Sequence, residues 1–470
     1  MRTITWFTLA LLAFSSASPG SCGEAKKYLL KPLLSPGETA SVSLELEVGG
    51  EMIFLDKTEP ERLPMRVEGR MSYRQQIIAW SADPAEVARS LRSYQKASAT
   101  FKVDKKSEQR SLPSKKRIIV SELRDGRASL TGSSGQLTRK QYDLVNVLGS
   151  SLAIDRLLPG REVAEGENWD HDKKVLGALL GMDHVAVCEV SSVVTGQSHQ
   201  QVQIRMAGTV HGTIDGASTE IDIRAAYLFH QRRKRITKFN LAVQEKRAAG
   251  EVVPGLDVVA KVHLVVGTAP RKARLNKKLV SQFSDLSQPL QHKLLYDAPE
   301  QGFRFLHDTA WYVTGEQRDQ LSLRCLQEGD LTAHCNVSTL PARSTGRQTT
   351  LEQFERDIRE SLGDNLERVT AATQWKTSLG HDCLGIIAIG KFEEVPVEWR
   401  YYLLAGDDLP RVSLAVTLEQ SQIKRFADAD REIIETLKLL PKAVPATAKK
   451  RLKRPAKKAA SRPSRGKHAF

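Results

Sequence analysis

Ala40-Ser41-Val42-Ser43-Leu44-Glu45-Leu46-Glu47-Val48-Gly49-Gly50 is the stretch that decides the fold class. Ala40, Val42, Leu44, Leu46 and Val48 alternate with serines and glutamates. A period of two puts one set on each face of a strand, so the stretch reads as a half-buried antiparallel strand closed by a Gly-Gly turn. The pattern returns at Val202, Ile204 and Met206, at Ile221, Ile223, Ala225, Tyr227 and Phe229, and at Val262, Leu264 and Val266. Ser35-Pro36-Gly37, Thr195-Gly196-Gln197 and Asp215-Gly216 mark turns between such runs. The spacing implies about ten strands across residues 26–268, which must curl into a barrel, a half-barrel or two packed sheets.

Two short helices interrupt this β-rich domain. Thr138-Arg139-Lys140-Gln141 is a capping box, and the helix it opens carries Tyr142, Val145 and Leu148 on one face. The second starts near Asp170 or Asp172, buries Val175, Leu176, Leu179 and Leu180, and stops at Gly181. Residues 269–299 are rich in Pro, Lys and Arg and read as a linker with one short helix. From residue 300 to 441 the pattern turns to α+β. Strand-like runs occupy 303–307, 320–326, 333–337, 383–392, 399–404 and 412–418. Thr350-Leu351-Glu352-Gln353 caps a helix with the stripe Leu351, Phe354, Ile358 and Leu362. A last helix from about Asp428 is expected to bury Ile433, Ile434, Leu437 and Leu440 before Pro441.

The charge is unevenly distributed. The 470 residues carry a formal +15, and eleven of those charges are Lys and Arg between Lys442 and Lys467. No acidic residue lies beyond Glu435. Residues 442–470 hold little that could be buried, so a disordered tail is expected. Its Lys449, Lys450, Arg451, Lys453, Arg454, Lys457 and Lys458 form the candidate polyanion-binding set. The partner would be an anionic polymer or membrane surface, bound without sequence readout and with strong salt dependence. A solubilising tail without a dedicated partner is the plainer alternative.

Arg2, the apolar run Ile4–Phe14 and the small residues Ser15–Ser18 read as a secretory signal, with cleavage after Ala17. The expected location is therefore periplasmic or extracellular. Lipid attachment at Cys22 lacks the usual upstream Leu. Removal of the leader leaves the folded part at about +3. Cys22, Cys188, Cys325, Cys335 and Cys383 make an odd count, so at least one is unpaired or lipidated. Cys325 and Cys335 flank a turn. An even-numbered loop would point them to opposite faces, and a bulged loop would bring them to one face. Buried free thiols suit domains of this size.

Catalytic and cofactor motifs are missing from the sequence. Gly385–Lys391 is a near miss to a phosphate loop, but Phe392 follows the lysine and the intervening residues are apolar, so it reads as a strand. His334, Cys335, His381, Cys383 and Cys325 are zinc-ligand types without zinc-site spacing. Glu393-Glu394, Asp407-Asp408 and Asp428/Asp430 are carboxylate pairs that read as solvated loop charges. There is no G-x-S-x-G elbow and no dinucleotide fingerprint. Neither a cofactor nor a metal is expected, and an enzyme is not the expected class.

Two resemblances add to this. Leu158-Pro159-Gly160-Arg161-Glu162-Val163-Ala164-Glu165-Gly166-Glu167-Asn168-Trp169 resembles an "LP-x-x-x-V-x-x-G-x-x-W" segment of uncharacterised exported bacterial β-rich proteins. Arg92-Ser93-Tyr94, Leu137-Thr138-Arg139 and Val253–Val258 look like further landmarks of that group. The resemblance implies that Trp169 anchors the helix after it. Gly302-Phe303-Arg304-Phe305 with Trp311, and the pattern up to Leu440, is similar to the PsbP-like α/β/α sandwich, also found in DcrB-type envelope lipoproteins. That resemblance implies a non-catalytic accessory or binding module.

The expected whole is an α+β chain: an antiparallel β-rich domain, a PsbP-like α/β/α sandwich and a disordered basic tail. The expected function is an exported, non-enzymatic envelope protein that binds or scaffolds, its tail adhering to anionic surfaces. One alternative is a lipid or small apolar ligand carrier using the curved sheet as a cup. A second is a nonspecific nucleic-acid binder acting through the tail.

Overall fold

The computed structural model describes residues 26–55, 59–269, 275–342, 348–406 and 409–441. The leader, Cys22, Asp407-Asp408 and the tail with its candidate polyanion-binding residues lie outside the described residues.

The first part runs β1 (Lys27–Leu29), β2 (Thr39–Leu55), β3 (Pro60–Ala79), β4 (Ala88–Val103), β5 (Lys106–Ser111), β6 (Ile118–Arg124), β7 (Arg127–Gly132) and α1 (Arg139–Val145). It continues with β8 (Glu162–Ala164), β9 (Asn168–Asp170), α2 (Lys173–Leu180), β10 (His184–Ser198), β11 (Gln201–Ile214), β12 (Ala217–His230), β13 (Arg235–Arg247) and β14 (Gly255–Thr268). All but β1 and β8 form one antiparallel sheet of twelve strands, ordered β7-β6-β4-β3-β2-β14-β13-β12-β11-β10-β9 with β5 on β4. Its apolar half-faces line one continuous core. Gly50 and Gly208 permit close strand approach: a Cβ there would lie 2.2 Å from the Asp257 carbonyl and 1.9 Å from the Glu189 carbonyl. Their φ values of +152° and +150° belong to a region that side chains disfavour.

The sheet curls without closing through hydrogen bonds. Helix α2 packs against both β7 and β10 and so bridges the two ends. The concave side is filled by the chain between residues 137 and 180. Tyr142, Leu144, Val145, Leu152, Ile154, Leu157, Trp169 and the buried side of α2 belong to the same core as the sheet. Polar anchors fix this segment. Trp80 Nε1 donates to the Leu152 carbonyl at 3.2 Å, Trp169 Nε1 to the Leu157 carbonyl at 2.9 Å, and the Ile236 amide to Asp155 at 2.6 Å. An apolar guest in this cup would have to displace the protein's own segment. Both helix starts form as expected: Thr138 makes a reciprocal capping box with Gln141, Asp172 caps α2, and Gly181 ends it in the left-handed conformation.

The second part holds α3 (Lys277–Gln282), β15 (Lys293–Ala298), β16 (Phe303–Asp308), β17 (Trp311–Glu316), β18 (Gln320–Gln327), β19 (Asp330–Leu340) and α4 (Leu351–Leu362). It ends with β20 (Leu366–Lys376), β21 (Asp382–Phe392), β22 (Val395–Ala405), β23 (Arg411–Glu419), α5 (Ile423–Phe426), α6 (Ala429–Thr436) and β24 (Lys438–Leu439). A seven-stranded antiparallel sheet runs β17-β18-β19-β23-β22-β21-β20, and a three-stranded one β15-β16-β24. Helix α4 covers β20 to β22 through Phe354, Ile358 and Leu362. Helices α5 and α6 and the small sheet cover the other face.

This corrects the expected fold class. Strands take 58% of the described residues and helices 14%, and the second part is not a clear α/β/α sandwich. Four of its strands, β15, β17, β20 and β24, escape the alternation test. Edge strand β20 has two register breaks and hardly any burial contrast. The last helix is also shorter than expected. The backbone leaves α6 at Leu437 because Lys438 and Leu439 pair with Arg304 and Phe303 of β16, so Leu439 is buried in place of Leu440.

The expected linker region contains α3, as read, but also strand β15. The residues between them are tied to the outer face of β4 and β6. Arg89 donates to the carbonyls of Phe283, Asp285 and Gln288, and Arg124 to that of Leu286. The two parts meet at a second place. Arg139 of α1 donates to the carbonyls of Thr309 and Trp311, its guanidinium lies 4.4 Å from the Tyr312 ring centroid, and the Tyr312 hydroxyl donates to Asp215 at 2.6 Å.

Candidate functional site

Outward-facing residues of five neighbouring strands form two straight rows. Glu45, His263, Asn240, Ala226 and Arg205 sit directly opposite one another across β2, β14, β13, β12 and β11. One step along the strands, Glu47, Lys261, Ala242, Arg224 and Ala207 do the same. Alanines in the middle and long side chains at the ends hollow out a trough. Its volume is about 570 Å³, with Ala225, Leu241 and Val262 also lining it. Five strands at ordinary spacing make it about 19 Å across.

The electrostatics of the trough are bipolar. Glu45 and Glu47 form one bank, and Arg205 and Arg224 the other. Lys261 and His263 stand beside the acidic bank, and His263 hydrogen bonds to Asn240. Arg70 lies 3.8 Å from Glu45, both side chains well exposed, so that contact is weak. Among the described residues, Arg205, Arg224 and Lys261 have no hydrogen-bond or ion-pair partner, which leaves their donors available to a ligand. None of these residues stands out in the sequence. Alternation alone turns Glu45 and Glu47 outward, but the opposing bank appears only once five strands are in register.

The residues singled out from the sequence do not assemble into a second site. Cys188, Cys325, Cys335 and Cys383 are all free thiols. Cys325 and Cys335 do share a buried face, because a register break between Cys325 and Leu326 offsets the two-residue loop. Burial pushes the Cys325 thiol up to about 11 and Cys383 up to about 12, so neither is a thiolate at neutral pH. His334 is exposed on the opposite face of β19, and His381 accepts from the Leu439 amide. Among the described residues no group of three or more His, Cys, Asp or Glu is placed to hold a metal. Glu393 and Glu394 are exposed at the β21–β22 turn. Asp428 is exposed, whereas Asp430 is buried and accepts from Tyr402 at 2.7 Å and Arg400 at 3.1 Å. Gly385–Lys391 lies within strand β21.

One hydroxyl–imidazole contact has the distance of a nucleophile and its base. His171 Nε2 is 2.7 Å from Ser192 Oγ, which is 2.9 Å from the Tyr227 hydroxyl. Ser192 is only 1% exposed, and burial pushes His171 down to about 4. A nucleophile needs access to its substrate. Ser192 and Tyr227 are buried in the half-barrel, and the relay ties the residue after β9 to β10 and β12.

No family model matches this chain, and no curated protein is similar to it. Three solved structures are each similar to about a third of it. A PsbP protein (CyanoP) from Synechocystis sp. PCC 6803 is 8% identical, with 32% of this chain matched to 94% of that one at a TM-score of 0.26. A Pseudomonas aeruginosa protein of unknown function is 12% identical, with 33% matched to 99% at a TM-score of 0.23. A Bacteroides thetaiotaomicron protein is 13% identical at a TM-score of 0.25, and 32% of this chain spans about half of its length, 49%.

Proposed function

We propose that this is a non-enzymatic binding protein of the cell envelope that holds a partner of mixed charge on the outer face of its large sheet. The trough carries the reading: an open, alanine-floored strip with unpartnered cations on one bank and carboxylates on the other. Its width equals about six residues of extended chain at 3.3 Å each. The partner is therefore an extended peptide segment with acidic residues at one end and basic residues at the other. Charges so exposed contribute modestly one by one, and a partner meeting both banks gains from several at once. The leader read in residues 1–17 would take the protein out of the cytoplasm, and the basic tail would add adhesion to anionic surfaces.

A dye-labelled six-residue peptide with two glutamates at one end and two lysines at the other tests the reading by fluorescence anisotropy. Saturable binding is expected, weakened at least tenfold in the double variant Arg205→Ala/Arg224→Ala. The tail is intact in that variant, so a loss reports on the trough. Absent saturation with the parent protein, or unchanged affinity in the variant, overturns the proposal.

A further inference from the structure

Five arginines are nearly fully buried among the described residues: Arg89, Arg92, Arg156, Arg235 and Arg400. Four of them are accounted for. Arg89 pairs with Glu122, Arg235 with Asp155 and Glu38, and Arg400 with Glu398 and Asp430. Arg156 donates to the carbonyls of Ser81 and Glu86. Arg92 has neither a carboxylate nor a carbonyl. Its Nη2 donates to Ser150 Oγ at 3.0 Å, and its guanidinium stands 5.2 Å from the centroid of the Tyr73 ring. Its Nε has no partner. A guanidinium has five donors and a permanent charge, and burying that charge without a counter-ion is costly.

Other unpartnered polar atoms gather at the same place. Gln75 Nε2 and Ser90 Oγ are buried without hydrogen-bond partners, and the buried Tyr94 hydroxyl has the Arg92 guanidinium as its polar neighbour. Gln75 lies directly opposite Arg92 across the β3–β4 ladder, and Tyr73 directly opposite Tyr94 in the next row. The carbonyl end of Gln75 is already used, because Ser151 donates to its Oε1. Its amide nitrogen is therefore the free end. Ser151 Oγ also lies 2.7 Å from the Tyr73 hydroxyl, so the loop at Ser150 and Ser151 faces this patch from the filled side of the half-barrel. The free groups are mostly donors around one cation, and no acid is paired with it. Buried donors without acceptors are rare in folded proteins, so a cluster of them around one cation calls for an acceptor that the chain itself does not supply.

We propose that Arg92, Gln75 and Tyr94 form an internal site for a small oxyanion, a carboxylate or phosphate group, held between β3–β4 and the Ser150–Ser151 loop. The anion supplies the missing counter-charge and accepts from Arg92 Nε, Gln75 Nε2 and the Tyr94 hydroxyl. It also connects the sheet to the segment that fills it. Occupancy should therefore stabilise the whole half-barrel by mass action.

The test is thermal unfolding of the full chain, exhaustively dialysed into chloride buffer and titrated with sodium acetate or sodium phosphate at constant ionic strength. A saturable rise in Tm of several degrees is expected with at least one of them. Acetate acting alone identifies a carboxylate site, phosphate acting alone a phosphate site, and equal action an oxyanion site without preference. Arg92→Met should fold and lose the rise. It keeps the tail, so anions bound there cannot imitate the effect. If Arg92→Met does not fold, Tyr94→Phe takes its place and should raise the half-saturating concentration at least threefold. No rise with either anion in the parent protein overturns the proposal, as does an equal rise in Arg92→Met or an unmoved half-point in Tyr94→Phe. Arg92 would then act only as a clamp on Ser150.

Discussion

His307 shows how much a single buried group sets the acid response. It is 2% exposed on β16, with Nδ1 2.8 Å from the Asp308 carbonyl, and burial pushes it down to about 4. An unfolded chain would bind that proton near the ordinary value of 6.5. Its contribution is thus complete above pH 6.5 and is lost as the pH falls towards 4, because the unfolded state takes up the proton first. The loss at pH 4 is about 3 kcal/mol at most. His171 acts in the same direction. Asp143 and Asp155, raised to about 6 by burial, act in the opposite one: below pH 6 they protonate first in the folded state. Urea midpoints of the parent protein and His307→Asn at pH 7.5 and pH 4.5 isolate the histidine. The variant should lose less stability on acidification, and an identical loss would rule the mechanism out. At this scale the sequence is informative about residue type and silent about partners. Asp428 and Asp430 look alike in the chain, yet only Asp430 is buried against Arg400 and Tyr402.

Elements were legible where their signals are local. Both capping boxes lie within four residues and form as read. What depends on distant partners was not legible. The segment 283–288 has the composition of a linker, but Arg89 and Arg124 hold four of its carbonyls. Leu91 and Val120 pack beneath it with Leu290 and Phe283. The polar signal was real, since these backbone groups are satisfied by arginines and not by a ladder. Replacing Arg89 removes three of those bonds and leaves Glu122, itself 1% exposed, with Arg124 as its remaining ion-pair partner. Arg89→Met should cost about 3–5 kcal/mol, as expected when one member of a buried pair is removed. It should also speed protease cleavage between residues 275 and 291. Arg89→Met/Glu122→Leu should recover part of the stability while the cleavage stays fast. Recovery of slow cleavage in the double variant would show that the strap is held by packing alone.

At the level of the molecule the two parts are also joined beyond that strap, where Arg324 of β18 pairs with Glu251 and Gly216 packs closely on Leu326 and Gly329. Arg139 reaches the carbonyls of Thr309 and Trp311 and stacks on Tyr312, which bonds to Asp215. A parallel bridge links Leu137 to Leu294. The main apolar cores of the two parts are distinct apart from Leu294 of β15, which is buried in the first, so their cooperativity rests on these junction contacts. Arg139→Ala/Tyr312→Phe should divide one calorimetric transition into two, and a single transition at lower temperature would argue that the strap and the remaining contacts, Arg324 with Glu251 among them, suffice to couple the parts. The net charge belongs to neither core. Eleven units of the net +15 come from Lys and Arg beyond Pro441, while the described body pairs many of its arginines internally, Arg89, Arg235, Arg247 and Arg400 among them. Removing residues 442–470 should therefore leave Tm within about 1 °C, since surface changes away from packed features stay within about 0.5 kcal/mol. The same truncation should abolish retention on a heparin column at 0.15 M salt, roughly physiological ionic strength. The trough would keep its peptide binding. If the truncated protein still bound heparin, the arginine bank of the trough would be the polyanion site, and Arg205→Ala/Arg224→Ala in the truncated chain would then remove it.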